Sequence, residues 1–338
     1  MKIENPIKWC DETTNAVTGC DRVSAGCRFC YAEAGTRARV LRSQGIETWG
    51  PNGVRHPVNF EPVFRRLNKL CICDKCHTAY PVKQLGQKCK IETGSFIPNE
   101  VNNCNGQLRR IRLFADSNSD WLDGKWMIET LAQFLDSIRL APNVDVILLT
   151  KRLEDFDARL NLVWHDIAIG HPSGGITDQP CLSDLIEEWR SGNPPKNVWL
   201  GVSVENQAMA DKRIPLLLSI PAAVRFLSAE PLLEPVNFNP VDLYGFNGST
   251  EKPRIDWIIC GAESGQHRRD CGVEAIISVA QQCQAAGVPI FVKQDAALFS
   301  GAQGRIPDNI FNLKQFPNVT KDTRSWWAAR QNEGAILL

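Results

Sequence analysis

The sequence predicts an α/β protein organised on a parallel sheet or barrel, with a metal-stabilised insertion near its amino end. Two observations carry that prediction. From about residue 108 onward, short β-branched apolar runs alternate with amphipathic stretches, and nine of the thirteen cysteines lie in the first 104 residues. The runs are 111–115, 144–149, 198–204, 224–227, 257–260 and 288–292. Largely apolar runs of this length suit strands covered on both faces, as in a parallel sheet. The intervening stretches 127–140, 153–164, 207–218 and 273–286 read as helices, the last closed by Gly287 as a C-cap. The resulting β-α-β-α order makes a parallel sheet or barrel the simplest fold.

Composition sets the class. The chain has 338 residues, 43% hydrophobic and 22% charged, which argues against disorder, collagen-like sequence and coiled coil. Lys plus Arg equals Asp plus Glu at 38 each, so no bulk field draws the chain onto nucleic acid or a membrane, and an anionic partner must be held by a local patch. With no apolar signal region at Met1–Pro6 and no run of about 18 apolar residues, a soluble cytoplasmic protein is expected, with no membrane partner. An odd number of cysteines in such a chain favours metal or cluster chemistry over disulfides. Segments 172–180, 192–196 and 240–253 are rich in Gly, Pro, Ser and Asn and read as surface insertions; Trp326 and Trp327 read as a terminal helix docked on the body.

Each apolar run stops at polar residues: Asp116, Ser117 and Asp120; Thr150, Lys151 and Arg152; Ser203, Glu205 and Asn206; Ser228 and Glu230; Glu263 and Ser264; Lys293 and Gln294. Parallel α/β folds place their sites at the carboxyl ends of the strands, where rigid strands deliver side chains to converging loops. Lys151 and Glu230 are therefore the candidate catalytic groups, and Ser203, Glu205 and Ser228 candidates to hold a cofactor or substrate. Pro231 biases Glu230 toward extended backbone, which keeps its carboxylate at a strand end.

Cys20, Cys27 and Cys30 are spaced C-x6-C-x2-C. A structural zinc needs four ligands, and the nearest fourth, Cys10, lies ten residues upstream. Three thiolates on a [4Fe-4S] cube leave one iron open for a substrate or cofactor. A zinc site completed by Cys10 or a His is the structural alternative. Arg22, Arg28 and Arg37 surround the loop and could bind phosphate or carboxylate.

The second group, Cys71, Cys73, Cys76, His77, Cys89 and Cys104, reads as a zinc ribbon. Cys73 and Cys76 form one knuckle, Cys89 and Cys104 complete a closed structural site, and Cys71 and His77 are alternates. A second Fe-S cluster is the rival. The expected place of the ribbon is a lid or docking wall beside the barrel mouth. Lys75, Lys83, Lys88, Lys90, Arg109, Arg110 and Arg112 make the region locally basic and able to meet nucleic-acid phosphates. Cys181, Cys260, Cys271 and Cys283 have no ligand spacing and read as buried thiols.

The three-cysteine loop resembles the radical S-adenosylmethionine superfamily, with Phe29 in the aromatic position before the last cysteine. More closely, Gly19-Cys20, Ser24-Ala25-Gly26-Cys27, Cys30-Tyr31-Ala32, Leu149-Thr150-Lys151-Arg152, Gly201 to Asn206, Ser228-Ala229-Glu230-Pro231 and Lys293-Gln294 resemble a phage-associated family of three-cysteine-motif proteins of unknown function. Those motifs look like the spore photoproduct lyase branch. Gly261-Ala262-Glu263-Ser264 departs from the expected Gly-Gly-Glu-Ser, and no glycine follows Lys293-Gln294.

The resemblance implies a partial (β/α) TIM-like barrel of the radical S-adenosylmethionine type with an inserted zinc-ribbon-like subdomain. Its expected divisions are a first barrel unit over 1–66, the ribbon over 67–107, the remaining units over 108–300 and a docking tail over 301–338. It also implies that Cys20, Cys27 and Cys30 hold a [4Fe-4S] cluster, with Phe29 beside the cofactor. Bound S-adenosyl-L-methionine would be cleaved to a 5′-deoxyadenosyl radical, with an electron donor such as a flavodoxin or ferredoxin. Nucleic acid or nucleotide is the expected substrate, for modification or repair. The reading from another class is a non-catalytic, zinc-stabilised phage-type protein that binds nucleic acid or protein.

Overall fold

The structure is a computed structural model describing residues 3, 5, 7–90, 92–94, 101–168, 181–244 and 253–319. Its centre is a seven-stranded, wholly parallel sheet of β1 (Glu12–Thr14), β2 (Ile111–Ala115), β3 (Val144–Thr150), β4 (Val198–Ser203), β5 (Val224–Leu232), β6 (Trp257–Ala262) and β7 (Ile290–Val292). Each strand hydrogen-bonds to the next labelled one, so the spatial order equals the chain order. Because right-handed crossovers then all fall on one side, helices cover one face and the sheet curls around the other as a half-barrel.

The helices are α1 (Thr36–Ser43), α2 (Glu61–Leu67), α3 (Ile128–Arg139), α4 (Phe156–Ala168), α5 (Leu182–Arg190), α6 (Gln207–Ser219), α7 (Pro240–Tyr244), α8 (Val273–Ala286) and α9 (Asp308–Phe311). α8 matches the expected stretch, and Gly287 ends it in the left-handed region at φ 65°. Two expectations change. β5 continues past the run 224–227 through Glu230 and Pro231 to Leu232, because the β6 partner extends to Ala262. Part of the insertion expected at 240–253 is the helical turn α7. The segment 172–180 and the Trp326–Trp327 pair lie outside the described residues. Among the described residues, no helix is long and apolar enough to cross a membrane.

The period-two alternation sorts each strand between two cores. Ile111, Leu113, Val146, Leu148, Val198, Leu200, Leu227 and Ile258 pack under the helices. Their neighbours Phe114, Ile147, Trp199, Phe226, Trp257, Ile259 and Phe291 form a second cluster on the concave face, joined by Trp9, Cys10 and Phe316. Ring centroids there lie 4.6 Å (Trp9–Phe114) to 6.3 Å (Trp9–Trp257) apart, so aromatic packing fills the interior. Continuing the same parity upward places Lys151, Ser203, Glu205, Ser228, Glu230, Glu263 and Lys293 on the concave face at the carboxyl edge. An apolar plug below thus supports a polar mouth above.

The cysteine-rich insertion departs from its expected place. Its strands Leu70–Cys73, Ala79–Pro81 and Leu108–Arg109 form a small antiparallel sheet. Arg109 is two residues before β2, and it donates to both oxygens of Asp11, just ahead of β1, at 2.6 and 2.9 Å. The insertion therefore sits at the amino-terminal edge of the parallel sheet, not beside the mouth. β2 alone, five residues long, separates the two ends by about 16 Å at the usual strand rise.

Candidate functional site

Two constellations of cysteines stand at opposite ends of the sheet. At the amino end, the sulfurs of Cys73, Cys76, Cys89 and Cys104 all lie within 4.8 Å of one another, a group that could hold a metal ion. The pairs Cys73–Cys104 and Cys76–Cys89 are each 3.6 Å apart. Four sulfurs at about 2.3 Å from a tetrahedral ion would be separated by about 3.8 Å, so the spacing fits a single ion. The backbone N–H groups of Lys75 and Cys76 point at Cys73 Sγ at 3.4 and 3.5 Å, the arrangement that stabilises a thiolate. At Cys76, burial opposes ionisation, but hydrogen bonds from Thr78 and the neighbouring thiols outweigh it and bring the thiol down to about 6.

Gly106 completes this site by having no side chain. A Cβ there would press into Cys73 Sγ and lie 2.8 Å from Asp74 Oδ1. The alternates fall outside the group: Cys71 Sγ donates to the Pro81 carbonyl at 3.4 Å, and His77 faces Asp11 at 4.0 Å. Cys10 is buried on the concave face, donating to the Ile7 carbonyl at 3.5 Å.

At the other end, the chain leaves β1 and enters the loop carrying Cys20, Cys27 and Cys30. Asp116 sits just past β2, with φ 71° and its side chain buried. Its Oδ1 accepts the backbone N–H groups of Ala16 and Val17 at 3.0 and 3.3 Å, which fixes the approach to the loop. Burial raises its carboxyl well above the usual range. The middle of the loop is a 3-10 turn, Ala25–Cys27, and Glu205 sits directly beneath it. Glu205 Oε1 accepts Gly26 N–H at 3.3 Å, and its Oε2 accepts Arg213 Nη1 at 2.8 Å, with both charged side chains at most 2% exposed. A Cβ on Gly26 would stand 3.1 Å from the carboxylate, so glycine permits this approach. Burial raises the Glu205 pKa, but Lys151, Arg213 and Ser24 together hold it below the ordinary value.

A second latch comes from the loop after β6. Arg269 forms a two-pronged pair with Glu263 and donates to the Ala25 carbonyl at 3.0 Å. Arg269 and Arg28 each approach the Phe29 ring to 5.2 Å, and His267 stacks on it at 5.8 Å. Arg152 donates to the Asp21 carbonyl at 3.1 Å and faces Asp120 and Asp123 at 3.8 Å.

Beside the loop, Lys151 Nζ donates to Ser203 Oγ at 2.9 Å, and Lys293 pairs with Glu230. Ser228 Oγ donates to the Glu230 carbonyl at 3.4 Å, and the Glu230–Pro231 peptide is cis. Lys151 and Glu230 therefore come to one mouth. Ser203, Glu205 and Ser228 are buried around it.

The loop supplies three thiol donors, and its surroundings oppose the ionisation of Cys20 and Cys30. Cys20 and Cys30 line one apolar cluster with Ala32, Ala38 and Trp49. Burial pushes the Cys20 thiol up to about 12, with Asp120 adding to it and Arg152 opposing. Burial also raises Cys30, against backbone N–H groups of Glu33 and Ala32 directed at its sulfur. The sulfurs of Cys20, Cys27 and Cys30 do not form a single-ion group like the four ribbon sulfurs. A cube carries each cysteine on a different iron, so its sulfurs stand farther apart than on one ion. Three thiol side chains on one loop are the donor type that an iron-sulfur cluster takes.

Sequence reasoning passed over Arg213 and Arg269. Arg213 shares the buried stripe of α6 with Ala210, Ile214 and Leu217, and a cation in that stripe is a readable sign of a buried partner. Arg269, in a loop, carries no such signal. Cys181 and Cys271 also depart from the expected buried thiols: Cys181 is exposed at the N-cap of α5 and Cys271 is half-buried, whereas Cys260 and Cys283 are fully buried.

Residues 4–305 match the family described as Protein of unknown function (DUF5131), and the chain belongs to that family. No curated protein and no solved structure matches it.

Proposed function

We propose that this protein is a radical S-adenosylmethionine-like enzyme on a partial TIM-type barrel. Cys20, Cys27 and Cys30 would hold a [4Fe-4S] cluster at the mouth, and Cys73, Cys76, Cys89 and Cys104 a structural zinc at the opposite end. One observation carries the reading: a three-cysteine loop, fastened from below by Glu205 and from the side by Arg269, lies over a polar mouth at the carboxyl edge of a parallel half-barrel. When bound, the cluster supplies one-electron cleavage of S-adenosyl-L-methionine to a 5′-deoxyadenosyl radical, with a flavodoxin or ferredoxin as donor.

The chain's own residues bind and orient. Lys151, held by Ser203, offers a cation for a carboxylate; Glu230, paired with Lys293, offers oxygens for hydroxyl or amino groups of cofactor or substrate. Glu205 acts through Gly26 as a positioning residue for the loop, and Ser228 positions Glu230. The aromatic plug beneath the mouth keeps water from reaching a radical from below. The substrate is a nucleic acid or nucleotide. Anaerobic reconstitution with iron and sulfide, reduction, and assay of 5′-deoxyadenosine test this function. Release of 5′-deoxyadenosine that depends on Cys27 is expected; a protein inert toward S-adenosyl-L-methionine would leave a zinc-stabilised binding protein as the correct reading.

A further inference from the structure

We infer that the rim of the mouth is a docking surface for single-stranded nucleic acid, with Phe29, Tyr31 and Phe299 as stacking platforms and Arg28 and Arg268 as phosphate contacts. The inference deepens the substrate half of the proposed function and rests on it only there, since strand binding needs no iron.

Three adjoining segments build this rim. The cysteine loop presents Phe29, 36% exposed, and Tyr31, 62% exposed. The loop after β6 presents His267 and Arg268, and His267 stacks on Phe29. The loop after β7 is bridged to it through Gly265 N–H and the Ala297 carbonyl at 3.0 Å, and presents Leu298 and Phe299, the latter 76% exposed. Large apolar groups in the open normally mark a binding surface when they are grouped.

Tyr31 and the chain around Phe299 are held in place. Tyr31 Oη donates to the Ser117 carbonyl at 2.9 Å. Behind Phe299, buried Gln294 accepts Ser300 Oγ and Gly301 N–H at 2.9 and 2.8 Å, and buried Asp295 accepts Arg305 Nε at 2.9 Å. A platform whose supporting chain is fixed in advance loses less freedom when a base lies on it.

The charges complement a polyanion. Around the mouth, Glu33 pairs with Arg22, Glu205 with Arg213, Glu230 with Lys293, Glu263 with Arg269, and Asp270 and Asp295 with Arg305. Among the described residues, no carboxylate lies within 4.0 Å of a charged nitrogen of Arg28 or Arg268. Neutralised acids, surplus cations and exposed rings together match a strand that offers both phosphates and base faces. A duplex keeps those faces stacked away from the rings. The basic ribbon keeps Lys75, Lys83, Lys88 and Lys90 exposed, but among the described residues it offers no exposed aromatic ring beside them. Its Arg109 and Arg110 are spent on Asp11 and Asp145, and Arg112 lies 3.6 Å over Phe316, all at the far end of the sheet.

Fluorescence anisotropy on the full-length, zinc-loaded protein tests the rim, using labelled oligothymidylate and a labelled duplex of the same length. The single strand should bind more tightly. Phe299→Ala should weaken it on the order of tenfold. Arg268→Ala and Arg28→Ala should each flatten the slope of log K against log salt by about 0.7. Lys83→Glu combined with Lys88→Glu in the ribbon should leave binding unchanged. Unaltered zinc content and melting temperature identify these as surface effects. Absence of saturable binding, preference for duplex, or losses confined to the ribbon variant would overturn the rim. The 5′-deoxyadenosine assay separates the two proposals: product without strand binding removes the rim alone, and binding without product removes the enzyme alone.

Discussion

Gly106 and Glu205 show how single residues set the two sites. Alanine at 106 must displace Cys73 Sγ or the Asp74 carboxylate, both already committed. Gly106→Ala is therefore expected to weaken zinc affinity about 10- to 100-fold, read by competition with a chromogenic chelator, with little change at the mouth. Glu205 is a buried charge with a buried partner. Glu205→Gln leaves Arg213 uncompensated and should cost about 3 to 5 kcal/mol in denaturant unfolding. Its folded pKa is depressed, so its contribution is fully present above the unfolded value of about 4.3 and is lost as pH falls through the folded value. The wild type should lose stability on acidification below about pH 4.3 more steeply than Glu205→Gln. Glu205 was readable as a strand-end polar group; that both its oxygens are engaged was not, because Arg213 and Gly26 meet it only after α6 and the cysteine loop pack.

At the scale of elements, the long apolar strands and α8 were legible because burial demands a pattern that the sequence displays. β1 was not: Glu12, Thr13 and Thr14 carry no apolar residue, and the strand exists through its parallel pairing with Leu113, Phe114 and Ala115. That the four ribbon cysteines come together was legible from spacing, which follows from tight turns bringing thiols to one point. The ribbon's place was not. It follows from Arg109 lying two residues before β2 and from its pair with Asp11, neither of which a spacing rule contains. Because the small ribbon sheet buries chiefly cysteines, Tyr80 and Leu108 around the site, a bound metal would supply its folding energy. Chelation should abolish hydrogen-exchange protection across 70–109 while leaving that of β3 to β6 in place. Simultaneous collapse of the parallel sheet would show that the ribbon is not a separate metal-dependent unit.

Across the whole molecule, chain-ordered parallel strands leave one concave face, and aromatic residues close it at the amino end while charged residues open it at the carboxyl end. Under the proposed function, that division would separate a structural metal from a reactive one along the length of the sheet. The zero net charge acquires a location, since the acids near the mouth are paired and surplus cations remain on its rim. Metal analysis of the anaerobically reconstituted protein beside its Cys27→Ala variant tests the two-centre arrangement most directly. Four irons and one zinc per chain are expected in the wild type, with iron lost and zinc kept in the variant. A colourless wild type holding zinc alone, or loss of both metals together from Cys27→Ala, would contradict it.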